Sequence, residues 1–374
     1  MHADAHPSPL PGELRPWVEQ IAHARANKLQ IDIRGGNTKA FYGGAQQGLV
    51  LDTRVLSGIS SYEPSELVVT ARAGTPLAEL EAALAACGQC LPFEPPRFGD
   101  VNAVGGTVGG MVAAGLSGPA RASVGSVRDY VLGATLLNGK GETLSFGGTV
   151  MKNVAGYDLS RVLAGSLGTL GVICEVSLKV LPVAPATLTL RLEAEQAAAI
   201  RKVNEWGAQP LPLNASAWWD GMLVLRLSGA AAAVQAAQSV IGGEVVDAPL
   251  AAGFWTGLRD HRDEFFVGAA KAVEAGASLW RLSVPATTPP LKLSGEQLLE
   301  WGGAQRWICT SAPANVLREV AQAAGGHAVL FRGHDKRAGA FAPLKAPLDR
   351  IQRELMRAFD PDGVFNPARL LEHA

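Results

Sequence analysis

The segment Lys152–Pro182 constrains this chain more than any other. Gly165, Gly168 and Gly171 recur there at every third residue, between an apolar, helix-like run and an alternating strand. Glycine weakens the interior of a helix or a strand, so such a cluster is poor packing material. It predicts a tight turn whose backbone lies close to something. That something is either the neighbouring elements alone or a flat or phosphorylated ligand. A Gly-Ser turn opening onto Val172-Ile173 also leaves N–H groups able to meet an anion or a polar ring edge.

With 374 residues, the chain has room for two to three domains of about 150 each. An apolar fraction of 48% lets each of them bury a large core. Lys and Arg number 33 against 34 Asp and Glu, so neither a nucleic-acid footprint nor an acidic tail is expected. Cys87, Cys90, Cys174 and Cys309 do not make a disulfide scaffold. Cys87-Gly-Gln-Cys90 has CxxC spacing but no second pair to complete a zinc or iron–sulfur set, and reads as small residues at a helix end. The start MHADAHPSPLPGEL lacks the charge and apolar core of a signal peptide. No run of about 18 apolar residues is present to span a membrane. A cytoplasmic, reducing setting is expected.

Residues 10–27 read as a helix, and Leu29–Arg34 as a half-buried strand feeding Gly35-Gly36-Asn37-Thr38-Lys39. Leu49–Thr53 and Leu67–Ala73 are further strands. Thr75-Pro76 opens a helix with Thr at the N-cap. Glycine dominates GGTVGGMVAAGLSG, from Gly105 to Gly118. Residues 129–146 predict a hairpin turning at Asn138-Gly139. Gly171–Leu181 is an alternating strand, and Pro182 and Pro185 mark a boundary near residue 184. Beyond it, strands at 187–192, 216–219, 223–227, 278–284, 307–310 and 328–332 and helices at 194–206, 230–241 and 315–324 predict an α+β lobe. Its antiparallel sheet should carry helices on one face. Leu348–Phe359 is an amphipathic helix. Trp218, Trp219 and Trp255 are either core residues or, if exposed, anchors for partners.

No glycine-rich segment has the G-x-G-x-x-G spacing of a Rossmann unit or the Gly-Lys-Ser/Thr of a P-loop. Arg34–Lys39 offers successive N–H groups and flanking positive charge, so it is either a pyrophosphate nest or an ordinary turn. Combined with Gly105-Gly106-Thr107 and Gly165–Gly171, it resembles the FAD-binding domain of the vanillyl-alcohol oxidase (PCMH-type) flavoprotein family. The resemblance covers the first 184 residues and the C-terminal end. It implies an α+β fold: a two-part PCMH-type FAD-binding domain over 1–184, a cap lobe with an antiparallel sheet over 185–340, and a segment over 341–374 returning to the first domain. It also implies FAD, with Arg34, Gly35, Gly36, Asn37, Thr38 and Lys39 at the pyrophosphate. Gly105, Gly106, Thr107 and Gly109 should pack along the flavin, with Gly125 and Ser126 near it. Gly165, Ser166, Gly168, Thr169 and Gly171 should form a further wall with contact at Ile173, and Asn366 should close the site.

The strings LVVTARAGTPLAELEAAL, LPFEPPRFGD, VMKNVAGYDLSRVLAGS and FDPDGVFNPAR are similar to one branch of this family, FAD subunits of bacterial complexes that oxidise glycolate to glyoxylate. That implies a FAD-dependent 2-hydroxy-acid oxidoreductase subunit acting with a glycolate oxidase D subunit and an iron–sulfur F subunit. Any membrane association would come through those partners. Two departures matter. Many family members attach FAD through a His where this chain has Asn37, so FAD should be held non-covalently. The catalytic members carry a His-rich metal and base motif; here His327 and His334 are seven apart, which on a strand puts them on opposite faces, and no metal is expected. Oxidising a 2-hydroxy acid needs a base, a cation for the carboxylate and a hydride acceptor. His334 is the candidate base, and Arg332 and Lys336 are candidate cations. Two alternatives stay open: a flavin relay whose D partner does the substrate chemistry, and a stand-alone D-lactate-type dehydrogenase.

Overall fold

The computed structural model describes residues 11–99, 105–148 and 158–371; Lys152–Tyr157 of the glycine-turn segment and Leu10 lie outside them. Leu14, Trp17, Ile21 and Ala24 recur on one face and make α1 (Pro11–Asn27) an amphipathic helix buried on that side. It packs on a parallel pair, β1 (Ile31–Arg34) and β2 (Leu49–Asp52). After β3 (Ile59–Glu63) and β4 (Val68–Arg72), α2 (Leu77–Ala86) buries Leu77, Leu80 and Leu84. Its expected Thr75 cap does not form. Pro76 takes the N-cap position, while Thr75 Oγ1 accepts from Gly58 N at 2.9 Å and donates to Gly58 O at 3.0 Å. A buried hydroxyl is satisfied by the nearest free backbone, and here the strand turn reaches it first.

Next come β5 (Gln89–Cys90), α3 (Val108–Ala114), α4 (Arg121–Val124), α5 (Val127–Tyr130), β6 (Val131–Leu137), β7 (Thr143–Gly147), β8 (Val172–Lys179) and β9 (Leu181–Pro182). β3-β4-β8-β6-β7 form an antiparallel sheet, and β5 pairs with β9. The glycine-dominated segment holds a helix after all: Thr107 Oγ1 caps α3 by accepting from Gly110 N, and Gly115 ends it with φ 65°. The β6–β7 turn runs to Glu142 rather than closing at Asn138-Gly139. Asn138 Oδ1 accepts from the amides of Lys140 and Glu142, both at 2.9 Å, which wraps a longer loop round the side chain.

From residue 186 onward the elements are β10 (Ala186–Glu193), α6 (Gln196–Gly207), β11 (Leu213–Trp219), β12 (Met222–Gly229), α7 (Ala231–Ile241) and β13 (Glu244–Val245). Then follow α8 (Ala248–Asp260), α9 (Glu264–Glu274), β14 (Ser278–Ser283), β15 (Glu296–Glu300), β16 (Gln305–Thr310), α10 (Ala314–Ala323), β17 (His327–Arg332) and α11 (Leu348–Phe359). The strands make one antiparallel sheet in the order β13-β10-β12-β11-β15-β16-β14-β17. Helices cover both of its faces, not one. α6, α7 and α10 pack on the side of Leu190, Leu225 and Leu282, while α8 and α9 bring Trp255, Leu258, Phe265 and Phe266 to the side of Ala217, Leu279 and Trp307. That second face is too long for two helices alone, and Tyr42, Phe98, Leu116 and Leu167 of the first half complete its core. The tryptophans are packed: Trp255 Nε1 donates to Thr189 Oγ1, Trp218 Nε1 to Ala194 O and Trp219 Nε1 to Glu296.

Candidate cofactor site

β1 delivers the chain into a cleft walled by residues 33–40, by Gly106–Ala114 and by the turn reaching Ile173. The glycines explain how these walls meet. A Cβ on Gly36 would collide with the Gly105 carbonyl oxygen, and one on Gly35 with Thr107 Oγ1. The two loops are therefore stacked backbone on backbone. Asn37 adopts φ 54°, the left-handed conformation that turns successive amides to one side. Among the described residues, the amides of Gly35, Gly36, Asn37, Thr38 and Lys39 donate to no protein group. Five free donors in a row form a concavity suited to an anion.

Electrostatics agree. Asp32, buried at the floor, accepts from Arg34 Nε at 2.6 Å and Gln46 Nε2 at 3.3 Å, so the Arg34 charge is already compensated. Lys39 is not. Its ammonium forms no ion pair among the described residues and lies 5.7 Å from the Phe98 ring centre. Burial pushes its pKa down to about 8, with the charge of Asp260 opposing that shift. Below pH 8 the buried charge costs stability; the cost fades as pH rises toward 10.5, where the unfolded chain still holds the proton. A bound diphosphate reverses this by holding Lys39 protonated. Affinity for FAD is then expected to fall above pH 8, by up to about tenfold per pH unit. Titrations of FAD fluorescence at several pH values check it. An unchanged pH slope in Lys39→Met would refute the assignment.

The lining brings together most of the expected residues: Arg34, Gly35, Gly36, Asn37, Thr38, Lys39, Gly106, Thr107, Gly109, Gly168, Gly171, Ile173 and Asn366. Gly105 sits immediately behind, against Gly36. Others lie elsewhere. Gly125 and Ser126 belong to the start of α5, where Ser126 N and Oγ both donate to Asp129, and they do not line the cleft. Ser166 and Thr169 are buried inside the turn, with Thr169 Oγ1 donating to Ser166 O. Gly165 borders a different cavity, shared with Arg281 and His327. His334 follows the end of β17 and lines a third cavity with Asp335 and Lys336. Lys336 is committed to structure, donating to Phe41 O at 2.6 Å and Gly43 O at 2.7 Å.

Sequence reasoning missed several residues. Arg369 grips the loop beside the cleft through the carbonyls of Ala40, Tyr42 and Gly44. Its place three residues past Asn366, in the same closing strap, was the available signal. His261, at the C-terminus of α8, stacks on Phe266 with ring centres 3.6 Å apart. Burial, then the charges of Arg332 and Arg281, hold its pKa well below the ordinary histidine value, so the imidazole is neutral. No local pattern announces it.

Comparison with known proteins accords with this geometry. Residues 12–147 match the FAD binding domain family. The solved structure of an alkyldihydroxyacetonephosphate synthase superposes with a TM-score of 0.63, covering 94% of this chain and 75% of its own at 14% identity, which shows the fold. The D-lactate dehydrogenase of Anaerostipes hadrus is 33% identical over 45% of this chain and 35% of its own length. The glycolate oxidase subunit GlcE of Escherichia coli (strain K12) is 47% identical over 94% of this chain and 96% of its own. Agreement across nearly the whole of both chains reaches well past the shared cofactor domain, and the chain belongs to the GlcE family of glycolate oxidase subunits.

Proposed function

We propose that this chain is the FAD-bearing, GlcE-type subunit of a glycolate oxidase, in which glycolate is oxidised to glyoxylate and the electrons leave through partner subunits. The cleft is the observation that carries this reading: five free amides and a half-buried lysine without an ion-pair partner among the described residues lie between glycine walls. When bound, FAD supplies the two-electron acceptor for a CH–OH donor. The chain's own part is to hold and shield it. The amides of Gly35–Lys39 and the Lys39 ammonium would meet the diphosphate. Gly106, Gly109, Gly168 and Gly171 keep the walls free of side chains, and Ile173 adds an apolar surface. Asn37, at the position where relatives use histidine, leaves FAD bound non-covalently. We assign residues 1–184 and 341–374 to the FAD-binding domain and 185–340 to the cap lobe, with the D subunit and the iron–sulfur F subunit as partners. No helix among the described residues is long and apolar enough to cross a membrane, and we assign any membrane contact to those partners.

A second reading, a flavin relay fed by the D subunit, is favoured by one observation: His334, the expected base, lies away from the cleft. Anaerobic mixing separates the two. The purified chain should be yellow with one FAD, and its flavin absorbance should bleach with glycolate faster than with D-lactate. Bleaching only after the D subunit is added would establish the relay instead. A chain that takes up no FAD would defeat both.

A further inference from the structure

We propose that Arg281 and Arg332 form the carboxylate-binding pair for a small 2-hydroxy acid, with His261 beside them to accept its hydroxyl. The inference rests on the function argued above and carries it to the substrate side. Antiparallel pairing of β14 with β17 sets Arg332 opposite Leu279 and Arg281 opposite Val329, with a bulge between. Both guanidiniums reach the aromatic residues of the first half. Arg332 Cζ lies 3.5 Å from the Phe41 ring centre and 5.5 Å from that of Phe98; Arg281 lies 5.7 Å from the Tyr42 ring centre and donates to its hydroxyl at 3.1 Å.

Other shielded arginines of this molecule have either an acid, as Arg34 has Asp32, Arg226 has Glu94 and Arg259 has Asp260, or a set of backbone carbonyls, as Arg306 and Arg369 have. Among the described residues, no carboxylate pairs with Arg281 or Arg332. Two half-buried guanidiniums on paired strands without a counter-ion are costly, and an incoming carboxylate removes that cost. Two buried nitrogens add to this: Arg281 Nε and His261 Nδ1 have no hydrogen-bond partner. The neutral imidazole offers Nδ1 as an acceptor for the hydroxyl adjacent to the carboxylate. Phe98 links the group to the cofactor cleft, since its ring lies 4.9 Å from that of His261 and 5.7 Å from Lys39 Nζ.

Oxalate tests the pair, because it carries the carboxylate but no hydrogen to give up. Calorimetry on the FAD-loaded full chain should show saturable oxalate binding, weakened at least tenfold by Arg332→Met and by Arg281→Met. Arg337→Ala, at an exposed arginine, should leave it unchanged. If the pair exists for a ligand, both Met variants keep their FAD and melt at or above the wild-type temperature, since an uncompensated charge has been removed. The lysine variants Arg332→Lys and Arg281→Lys should recover part of the affinity. FAD-loaded Met variants that bind oxalate like wild type overturn the proposal. So do variants that lose FAD and thermal stability together, which marks the arginines as structural. A wild-type chain without FAD would instead defeat the function on which the proposal rests.

Discussion

Gly36→Ala is expected to abolish FAD retention. The added Cβ meets the Gly105 carbonyl oxygen, with Gly106 Cα only 3.3 Å away. Both obstacles are backbone, so no side chain can swing aside. The Arg34–Lys39 loop must lift off the Gly105–Thr107 loop, and the row of free amides loses its shape. A loss of a hundredfold in affinity, about 2.8 kcal/mol, is the least expected. Neighbouring glycines should grade below it. In Gly35→Ala the collision is with Thr107 Oγ1, a side chain that can rotate, at the loss of the α3 cap worth about 1 kcal/mol. In Gly106→Ala the nearest atoms are Leu77 Cδ1 and Lys39 Nζ, both at 3.2 Å and both flexible ends. Gly106→Val fills the space toward Lys39 and should fall between. FAD stoichiometry after purification and affinity by fluorescence quenching measure the series, with far-UV circular dichroism to show that the fold persists. Wild-type affinity in Gly36→Ala would mean the loops do not form the site.

That ranking shows which layer of the molecule could be read from the chain. Local grammar was legible where period and punctuation agree. Alternation in Val172–Lys179 specifies a strand between a glycine turn and a proline, and Leu348–Phe359 ends as a helix where the apolar period does. Each glycine segment alone reads equally as a turn, and the walls became legible only through the resemblance of the three together to a FAD-binding family. What could not be read depends on pairing between distant segments. α8 and α9 occupy a sheet face that exists only once eight strands are ordered. His261 lies in the left-handed conformation, φ 56°, just past a helix end, with nothing nearby in sequence to mark it. Its neighbours Arg281 and Arg332 become a pair only through the β14–β17 register. His334 is the candidate base of the sequence, yet the chain turns away after β17 into a different cavity.

Asn366→Ala is expected to loosen the molecule at the point where its two ends meet. The C-terminal strap runs parallel to β1, bridging Ile31 with Phe365. Asn366 fastens it with a nearly buried side chain: Oδ1 accepts from Ile33 N at 2.8 Å and Nδ2 donates to Leu167 O at 2.6 Å. One amide thus joins the strand that opens the nest to the turn that forms the opposite wall. Alanine leaves a buried N–H and a buried carbonyl unpaired, each costing about 1–3 kcal/mol. It must also adopt the φ of 42° that asparagine tolerates better. A loss of roughly 2–6 kcal/mol follows from the two unpaired groups alone, and the backbone strain adds to it. Asn366→Gly relieves the backbone but not the lost bonds, so it should recover only a minor part. Asn366→Asp keeps the Ile33 acceptor and turns a carboxylate oxygen toward Leu167 O, so it should be no better than alanine. Thermal melting and FAD affinity should fall together across the series, because Ile33, Leu167 and Gly168 all line the cleft. If Asn366→Ala melts and binds FAD as wild type does, the two walls are held by something other than this side chain.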